Sequence, residues 1–431
     1  MLDINFVRKN PEAVEQNAKN KGYDIDVKSI LGLDEKAKRL RQQIDELRSR
    51  RNNIANATKG TKPSSELVEE GKELKQKLST FEEELRSVDK LFMEDFKALP
   101  NMALDMVPVG LTEGDNLVIK TVGEKPVFDF EPKNHWQIAS SKDWIDKERA
   151  SKIAGARFAY LKGDLVRLEF ALWQYGMDVL GDQTLLQSII DDNHLSVSSK
   201  PFMPVLPPAV ARTDVFQATG RLNKEEQTYK IEDEDLWLNA SAEHTLSPMY
   251  MNEILVESDL PIRMVGYTTA FRREAGTYGK DAEGIFRMHQ FNKLEMECFV
   301  TADSSMQEHL LMVAIEEYLL QQLGLSYQVI EKCTGDIGRP NAKGVDINVW
   351  LPAQAEYRES HSADHITDYQ SRAMKTRVRR KDGGIVLAHT CDATVFSERI
   401  LIAIIENFQT IEGDVIIPDI IRKYMGARNK I

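Results

Sequence analysis

The sequence predicts an α+β protein: an antiparallel β-sheet flanked by helices, preceded by an antiparallel α-helical coiled-coil hairpin. Three observations carry that expectation. Two heptad seams occupy the first hundred residues, a turn separates them, and short alternating runs interleaved with amphipathic stretches fill the rest. The chain of 431 residues is therefore divided into an arm, residues 1–110, and a body, residues 111–431.

In the arm, Leu33, Ala37, Leu40, Ile44, Leu47, Arg51 and Ile54 are spaced by alternating steps of four and three. Leu67, Gly71, Leu74, Leu78, Phe81, Leu85, Val88 and Phe92 continue the same rhythm. Between them Lys59 to Ser65 reads KGTKPSS, with Gly, Pro and Ser where a turn needs them. Two helices of similar length joined by a short turn fold back on each other, giving a hairpin on the order of 40 Å long. From Leu31 to Thr58 there are seven basic and four acidic residues, and from Ser65 to Met93 eight acidic and five basic. One reading is charge pairing between the helices. The other is a basic helix that tracks a phosphate backbone, with Arg41, Arg48 and Arg51 on one face.

The body carries strand-like runs, PIRMVGYTTAFRRE, RMHQFNKLEMECFV, GVDINVWLP and GGIVLAHT. Helical stretches alternate with them, RLEFALWQYGMDVLGDQT, SMQEHLLMVAIEEYLLQQLG and RILIAIIENFQ. Period-two alternation favours an antiparallel sheet. No GxGxxG follows a strand and no GxxxxGK[ST] occurs, which excludes the usual dinucleotide and P-loop signatures.

Composition bounds the rest. Lys and Arg total 56 against 68 Asp and Glu, a net charge of −12, with 42% hydrophobic residues. The longest apolar runs, such as Ile400 to Ile405, fall far short of the roughly 18 residues that span a bilayer. No signal-type apolar stretch opens the chain, and the three cysteines have no metal-ligand spacing. These features predict a reduced cytoplasmic protein with no membrane partner. The acidic balance on its own disfavours a nucleic-acid partner.

The segment Phe271 to Glu295, FRREAGTYGKDAEGIFRMHQFNKLE, concentrates chemistry. Two arginine-bearing stretches flank a Gly-rich loop and aim guanidiniums, which suit bidentate phosphate binding, at one point. Phe291 and Glu295, four residues apart on a strand, share a side. Phe271-Arg272-Arg273-Glu274-Ala275-Gly276 followed by Arg287-Met288-His289-Gln290-Phe291 resembles the second signature motif of class II aminoacyl-tRNA synthetases. Its wording is that of the bacterial-type seryl-tRNA synthetase family. The resemblance runs on through Thr334 to Arg372, Arg399 to Gln409 and Ile417 to Gly426, and the arm matches the family's tRNA-binding hairpin.

That resemblance implies a class II catalytic body and a ligase that activates L-serine with ATP and transfers it to tRNA-Ser, with selenocysteine tRNA left open. It implies Arg272, Arg399 and Glu295 as catalytic residues. For ATP it implies Arg272, Arg273, Glu274, Arg287, Met288, Phe291, Glu359, Ser360, His361, Ser362 and Arg399, with Glu359 and Ser362 on Mg²⁺. Serine would meet Ser241, Ala242, Glu243, Glu295 and Thr394. Arg41, Arg48 and Arg51 would meet tRNA, and Pro208, matching the family's first motif, implies a homodimer. Plainer roles stand beside these: Ser241 as a helix N-cap, Glu295 as an ion-pair partner, His244 and His289 as satisfied core or strand histidines, and Cys391 as a packed thiol. The basic run Arg372, Lys375, Arg377, Arg379, Arg380 and Lys381 reads as a solvated strand face or an acceptor-stem contact.

One segment departs from the family. His389-Thr390-Cys391-Asp392-Ala393-Thr394 stands where the family reads HTLNGS or YTLNNT, one residue short. Aligned forwards, Thr394 takes the hydroxyl position facing substrate; aligned backwards, Ala393 does. The hydroxyl makes Thr394 the chemically sensible choice, and Asp392 replaces a usual Asn. Two other classes compete with the ligase reading: an amino acid:carrier-protein ligase, which lacks the long arm, and a synthetase-derived RNA-binding protein without catalysis.

Overall fold

The computed structural model describes residues 1–60, 64–222, 228–274 and 284–431. The centre of the KGTKPSS turn and of the loop within Phe271 to Glu295 lie outside the described residues. The chain forms two compact units, Met1–Pro100 and Asn101–Ile431.

In the first unit, two short helices, Ile4–Lys9 and Pro11–Asn20, precede two long ones, α1 (Val27–Ala57) and α2 (Ser65–Ala98). Each long helix starts at a capping side chain: Asp26 accepts from the Ser29 N–H at 2.9 Å, and Ser64 from the Leu67 N–H at 3.3 Å. The heptad positions turn inward. Ala37, Leu40, Ile44, Leu74, Leu78 and Val88 are buried, whereas Arg51 on the same seam is exposed. Ion pairs join Lys36 to Glu84, Arg41 to Asp89, Arg48 to Glu82 and Arg50 to Glu70, at 2.7, 2.6, 2.9 and 2.5 Å. Lys36 and Arg41, early in α1, reach Glu84 and Asp89 late in α2, whereas Arg50, late in α1, reaches Glu70 near the start of α2, so the hairpin is antiparallel. Arg41 and Arg48 are thus engaged across the hairpin, while Arg51 has no ion pair among the described residues.

The second unit is built on eight strands: β1 (Leu117–Val122), β2 (Met203–Val205), β3 (Ile262–Phe271), β4 (Gln290–Val300), β5 (Tyr327–Glu331), β6 (Lys343–Leu351), β7 (Glu356–Thr367) and β8 (His389–Ser397). Their order across the sheet is β1-β5-β6-β7-β8-β4-β3-β2. Every pair is antiparallel except β2 with β3. The run GGIVLAHT divides. Ile385–Leu387 joins a small separate sheet with Arg377–Arg379 and Ile254–Val256, and the chain enters β8 only at His389.

Three helices matter for the site: α3 (Asp164–Gly181), α4 (Ala302–Leu323) and α5 (Glu398–Asn407). They pack with Leu294, Met296, Ala393 and Val395 in one large core. Side chains alternate along a strand, so this apolar set leaves Glu295, Asp392 and Thr394 for the other face. The approach of α3 is close enough that a Cβ on Gly176 would lie 2.8 Å from Val395 Cγ1, which only glycine avoids.

An ion pair braces the sheet to α4. Arg263 on β3 donates to both Glu308 carboxylate oxygens at 2.9 and 2.8 Å and to the Lys200 carbonyl at 2.7 Å. Both side chains are essentially without solvent contact. Among the described residues no helix is long and apolar enough to cross a membrane. Replacing Arg263 by Met strands the Glu308 carboxylate and should cost about 3–5 kcal/mol in urea unfolding. The paired change Arg263→Met with Glu308→Leu should recover most of that loss.

Candidate active site

A cavity of about 430 Å³ opens over the central strands. Its floor is polar because the register makes it so. On β4 and β8, Glu295 lies opposite Thr394, Met296 opposite Ala393, and Glu297 opposite Asp392. Opposite residues of an antiparallel pair share a face. Thr394 therefore joins Glu295 in the cavity wall, and Ala393 goes to the core with Met296.

At the deep end, Glu295 is only 1% exposed. Ser241 Oγ donates to Glu295 Oε2, and Lys293 Nζ donates to Oε1 at 2.6 Å and to Ser241 Oγ at 3.2 Å. Ser241 is not an N-cap, since the short helix Glu243–Leu246 starts from Ala242 and Ser241 gives its hydroxyl to Glu295.

The neighbouring row is more demanding. Asp364, Asp392 and Glu297 lie opposite one another on β7, β8 and β4. Buried Arg221 supplies the cation: it pairs with Glu243 and stands 3.6 Å from Asp392 and 3.8 Å from Asp364. Burial and then Glu243 push the Asp392 carboxyl well above the usual carboxylate range, against the pull of Arg221. Burial, with Glu243 adding, does the same to Glu297. The His244 ring is driven well below its ordinary value by burial and by Arg221, and it accepts the Ala240 N–H at 3.2 Å. It is a neutral, satisfied core histidine.

The other end mixes arginines with aromatic rings. The Arg272 guanidinium lies 5.1 Å from the Phe291 ring centroid and donates to the Ala240 carbonyl at 3.2 Å. Arg287 pairs with Glu274 at 3.3 Å, and the Glu274 backbone takes a left-handed φ of 43°. Arg399, at the first turn of α5, pairs with Glu359 at 3.1 Å, donates to its carbonyl at 2.8 Å and lies 5.1 Å from the Phe286 ring centroid. The Glu359 side chain stays half exposed at the rim; its loss of some solvent would raise the carboxyl, but Arg399 and Lys332 lower it to about 2. Asp346, opposite Ser362 in the register, is pushed up to about 7 by burial against the pull of Lys332, 3.2 Å away.

The structure brings together Ser241, Glu243, Arg272, Glu274, Arg287, Met288, Phe291, Glu295, Glu359, Ser360, Ser362, Thr394 and Arg399 around this one cavity. Three expected residues stand apart. Ala242 turns its methyl into a small apolar cluster with Leu246 and Phe299. Arg273 is exposed and does not line the cavity. His361 is buried, hydrogen-bonded to Ser360 Oγ at 2.8 Å and to the Val395 carbonyl at 3.0 Å. His289 lies one residue before β4, off the strand, and is satisfied there by its ring nitrogen 2.9 Å from the Arg272 carbonyl. Cys391 is buried opposite Cys298. In the basic run, Arg372 sits on a helix and pairs with Asp368, and Arg380 pairs with Glu257 and Asp303.

The Seryl-tRNA synthetase N-terminal domain matches residues 1–103, and the tRNA synthetase class II core domain (G, H, P, S and T) matches residues 228–408. Serine–tRNA ligases of Methanoregula boonei and Thermodesulfovibrio yellowstonii are 38% and 39% identical, each alignment covering 99% of both chains.

The chain belongs to the seryl-tRNA synthetase family.

The structures agree. Seryl-tRNA synthetase from Pyrococcus horikoshii, complexed with ATP, superposes with a TM-score of 0.86 at 33% identity, covering 100% of this chain and 99% of that one. The cytoplasmic serine–tRNA ligase of Naegleria fowleri, in complex with AMP, gives 0.82 at 27%, covering 100% and 98%. Within this seryl-tRNA synthetase fold the cavity also uses Arg221, Phe286, Lys293, Asp364 and Glu398, which sequence reasoning did not select. Lys293 was within reach, since it sits midway in the period-two series from Phe291 to Glu295. Arg221 carries no such signal, because its partners are spread over 171 positions from Arg221 to Asp392.

Asp392 yields a pH prediction. A carboxyl raised in the folded state penalises folding where the unfolded chain is ionised, so the penalty is present at neutral pH and vanishes below about pH 3.9. Asp392→Asn should therefore raise the urea midpoint at pH 8, with the gap to the parent closing as pH falls toward 4.

Proposed function

We infer that this chain is a serine–tRNA ligase: L-serine and ATP give seryl-adenylate and pyrophosphate, and the adenylate with tRNA-Ser gives seryl-tRNA and AMP. In the first step a serine carboxylate oxygen bonds to the α-phosphorus as the bond to pyrophosphate breaks. In the second, a hydroxyl of the terminal tRNA ribose bonds to the seryl carbonyl carbon as AMP leaves. Both steps rely on positioning and charge stabilisation more than on covalent help from the protein. The observation that carries this reading is one cavity with a carboxylate–hydroxyl floor at one end and arginines beside aromatic rings at the other, in a chain aligned end to end with serine–tRNA ligases.

In this reading Glu295 and Thr394 meet the substrate ammonium and hydroxyl, and Ser241 and Lys293 hold the Glu295 carboxylate in place. A buried carboxylate that expects a hydroxyl rejects alanine by being left unpaired. Arg272 bridges the serine carboxylate and the α-phosphate. Phe291 and Arg399 flank the adenine, Glu274 and Met288 meet its edge, and Arg287 reaches the outer phosphates. Glu359 and Ser362 offer hard oxygen donors at the cavity wall, and the ionised state of Glu359 fits them to hold Mg²⁺. Such an ion, when bound, would screen the phosphate charge. The set Glu243, Glu295 and Asp392, whose oxygens lie within 4.8 Å of one another, already faces Arg221 and Lys293 and is the poorer metal site.

The arm is the proposed tRNA contact, with Arg51 unpaired among the described residues and Arg41 and Arg48 available by exchange of partners. A homodimer in the cytoplasm is proposed as well. Edge strand β2 and the segment after it expose Met203 and Leu206, the latter 82% exposed, beside Pro208.

Serine-dependent ATP–pyrophosphate exchange tests the ligase reading, with alanine and threonine as controls. Exchange no greater with serine than with the controls would sink it. Glu295→Gln should lower kcat/KM for serine by roughly 100-fold with little change in KM for ATP. A merely structural Glu295 would instead lower the urea midpoint and affect both substrates alike. Deleting Leu33 to Phe92 should abolish charging of tRNA-Ser while leaving exchange intact, and undiminished charging would remove the role assigned to the arm.

A further inference from the structure

Behind the wall formed by Ile285, Met288 and Glu398 lies a second chamber of about 280 Å³. Its lip is aromatic: Phe158, Tyr160 and Phe170 line it, and Phe170 is 62% exposed. Beside Gln290 and Asn292 it is lined by two carboxyls, Glu169 from α3 and Glu398 from the first residue of α5, which are 4% and 8% exposed. Asn292 holds one oxygen of each. Its side-chain amide donates to Glu169 Oε1 at 2.8 Å and its backbone N–H to Glu398 Oε1 at 3.1 Å. The second oxygen of each carboxyl has no hydrogen-bond partner among the described residues, and neither group has a salt bridge to a Lys or Arg there.

This is an unusual way to leave two acids. Burying one carboxylate without a cation costs several kcal/mol, and a second beside it adds repulsion. Burial and then the neighbouring Glu169 push Glu398 up to about 8, and burial pushes Glu169 up as well, so the pair holds a proton at neutral pH. Tyr160 lines the same chamber, and Tyr267 lies near both carboxyls, its phenol raised by burial and by Glu169. No step of the serine reaction uses these groups.

We propose that this chamber binds a planar organic cation, an amidinium or guanidinium on a flat apolar body, with its charged head on Glu169 and Glu398 and its body against the aromatic lip. A forked, planar donor offers two parallel N–H groups, which matches two carboxyl groups whose second oxygens accept from no described residue. Aromatic faces at the entrance attract the same charge. The inference stands on the chamber alone and does not depend on which amino acid the main cavity activates.

Benzamidine is the probe, titrated calorimetrically into the full-length protein at pH 7.5. The expected result is saturable one-to-one binding, with neutral benzamide at least roughly tenfold weaker because it lacks the charge. Binding should release a proton, read from heats that vary with buffer ionisation enthalpy, and should tighten from pH 7 to pH 9. Glu169→Gln should weaken binding roughly tenfold, and Phe170→Ala, at an exposed position that cannot unfold the core, by a few-fold. Glu295→Gln should leave binding unchanged. No saturation up to roughly 10 mM, equal affinity for benzamide, or loss of binding with Glu295→Gln but not with Glu169→Gln would overturn the proposal. The last outcome would put the amidine in the main cavity.

Discussion

The functional unit rests on one electrostatic constraint: several carboxyl groups sit under the main cavity, and few cations hold them there. Asp364, Asp392 and Glu297 stand in register across three strands, with Glu243 and Glu295 beside them. Like charges directly opposite in a sheet oppose pairing. The row is tolerable because Arg221 is shared among three acids, because Lys293 neutralises Glu295, and because burial keeps some of the row protonated. The cavity is thus a charged surface built close to neutrality, in which a ligand that adds one ammonium or one phosphate shifts every neighbour.

Everything else in the second unit serves that surface. The apolar face of the same strands must be covered densely, which explains why α3 approaches through Gly176 and why α4 is braced by the Arg263–Glu308 pair. Alternation along β4 and β8 then sends Met296 and Ala393 one way and Glu295 and Thr394 the other. A slip of one residue would exchange the two sets. The segment His389 to Thr394 therefore keeps a hydroxyl at the cavity by register.

Legibility in the sequence followed burial pattern. The arm helices and α3, α4 and α5 announced themselves through apolar periodicity, and β3 and β4 through alternation next to a specific motif. Strand β7, EYRESHSADHIT, did not, because four of its six buried residues are polar, and Ser360 and His361 find backbone partners across the sheet. GGIVLAHT read as one strand but belongs to two sheets, a division set by tertiary pairing and invisible locally. The assigned Arg272, Glu274, Glu295 and Arg399 fell together as expected, whereas Arg221 was hidden because its meaning is a sum over distant acids. His361 lay next to chemistry in the chain and on the wrong side of the strand in space.

The arm's cross-hairpin pairs have a consequence of their own. Each joins exposed side chains, so each contributes only about 0–1 kcal/mol. The acidic helix acts as a tethered counterion for the basic one. A polyanion approaching α1 displaces covalently attached carboxylates, and these, unlike free ions, gain little entropy on release. Contacts made by swapping such partners weaken less steeply with added salt than contacts of free lysines and arginines. The hairpin also presents a muted charge to any polyanion that fails to fit its length. Its acidic partner helix is in this sense a filter against indiscriminate electrostatic capture, built from residues that lie outside the apolar seam closing the hairpin.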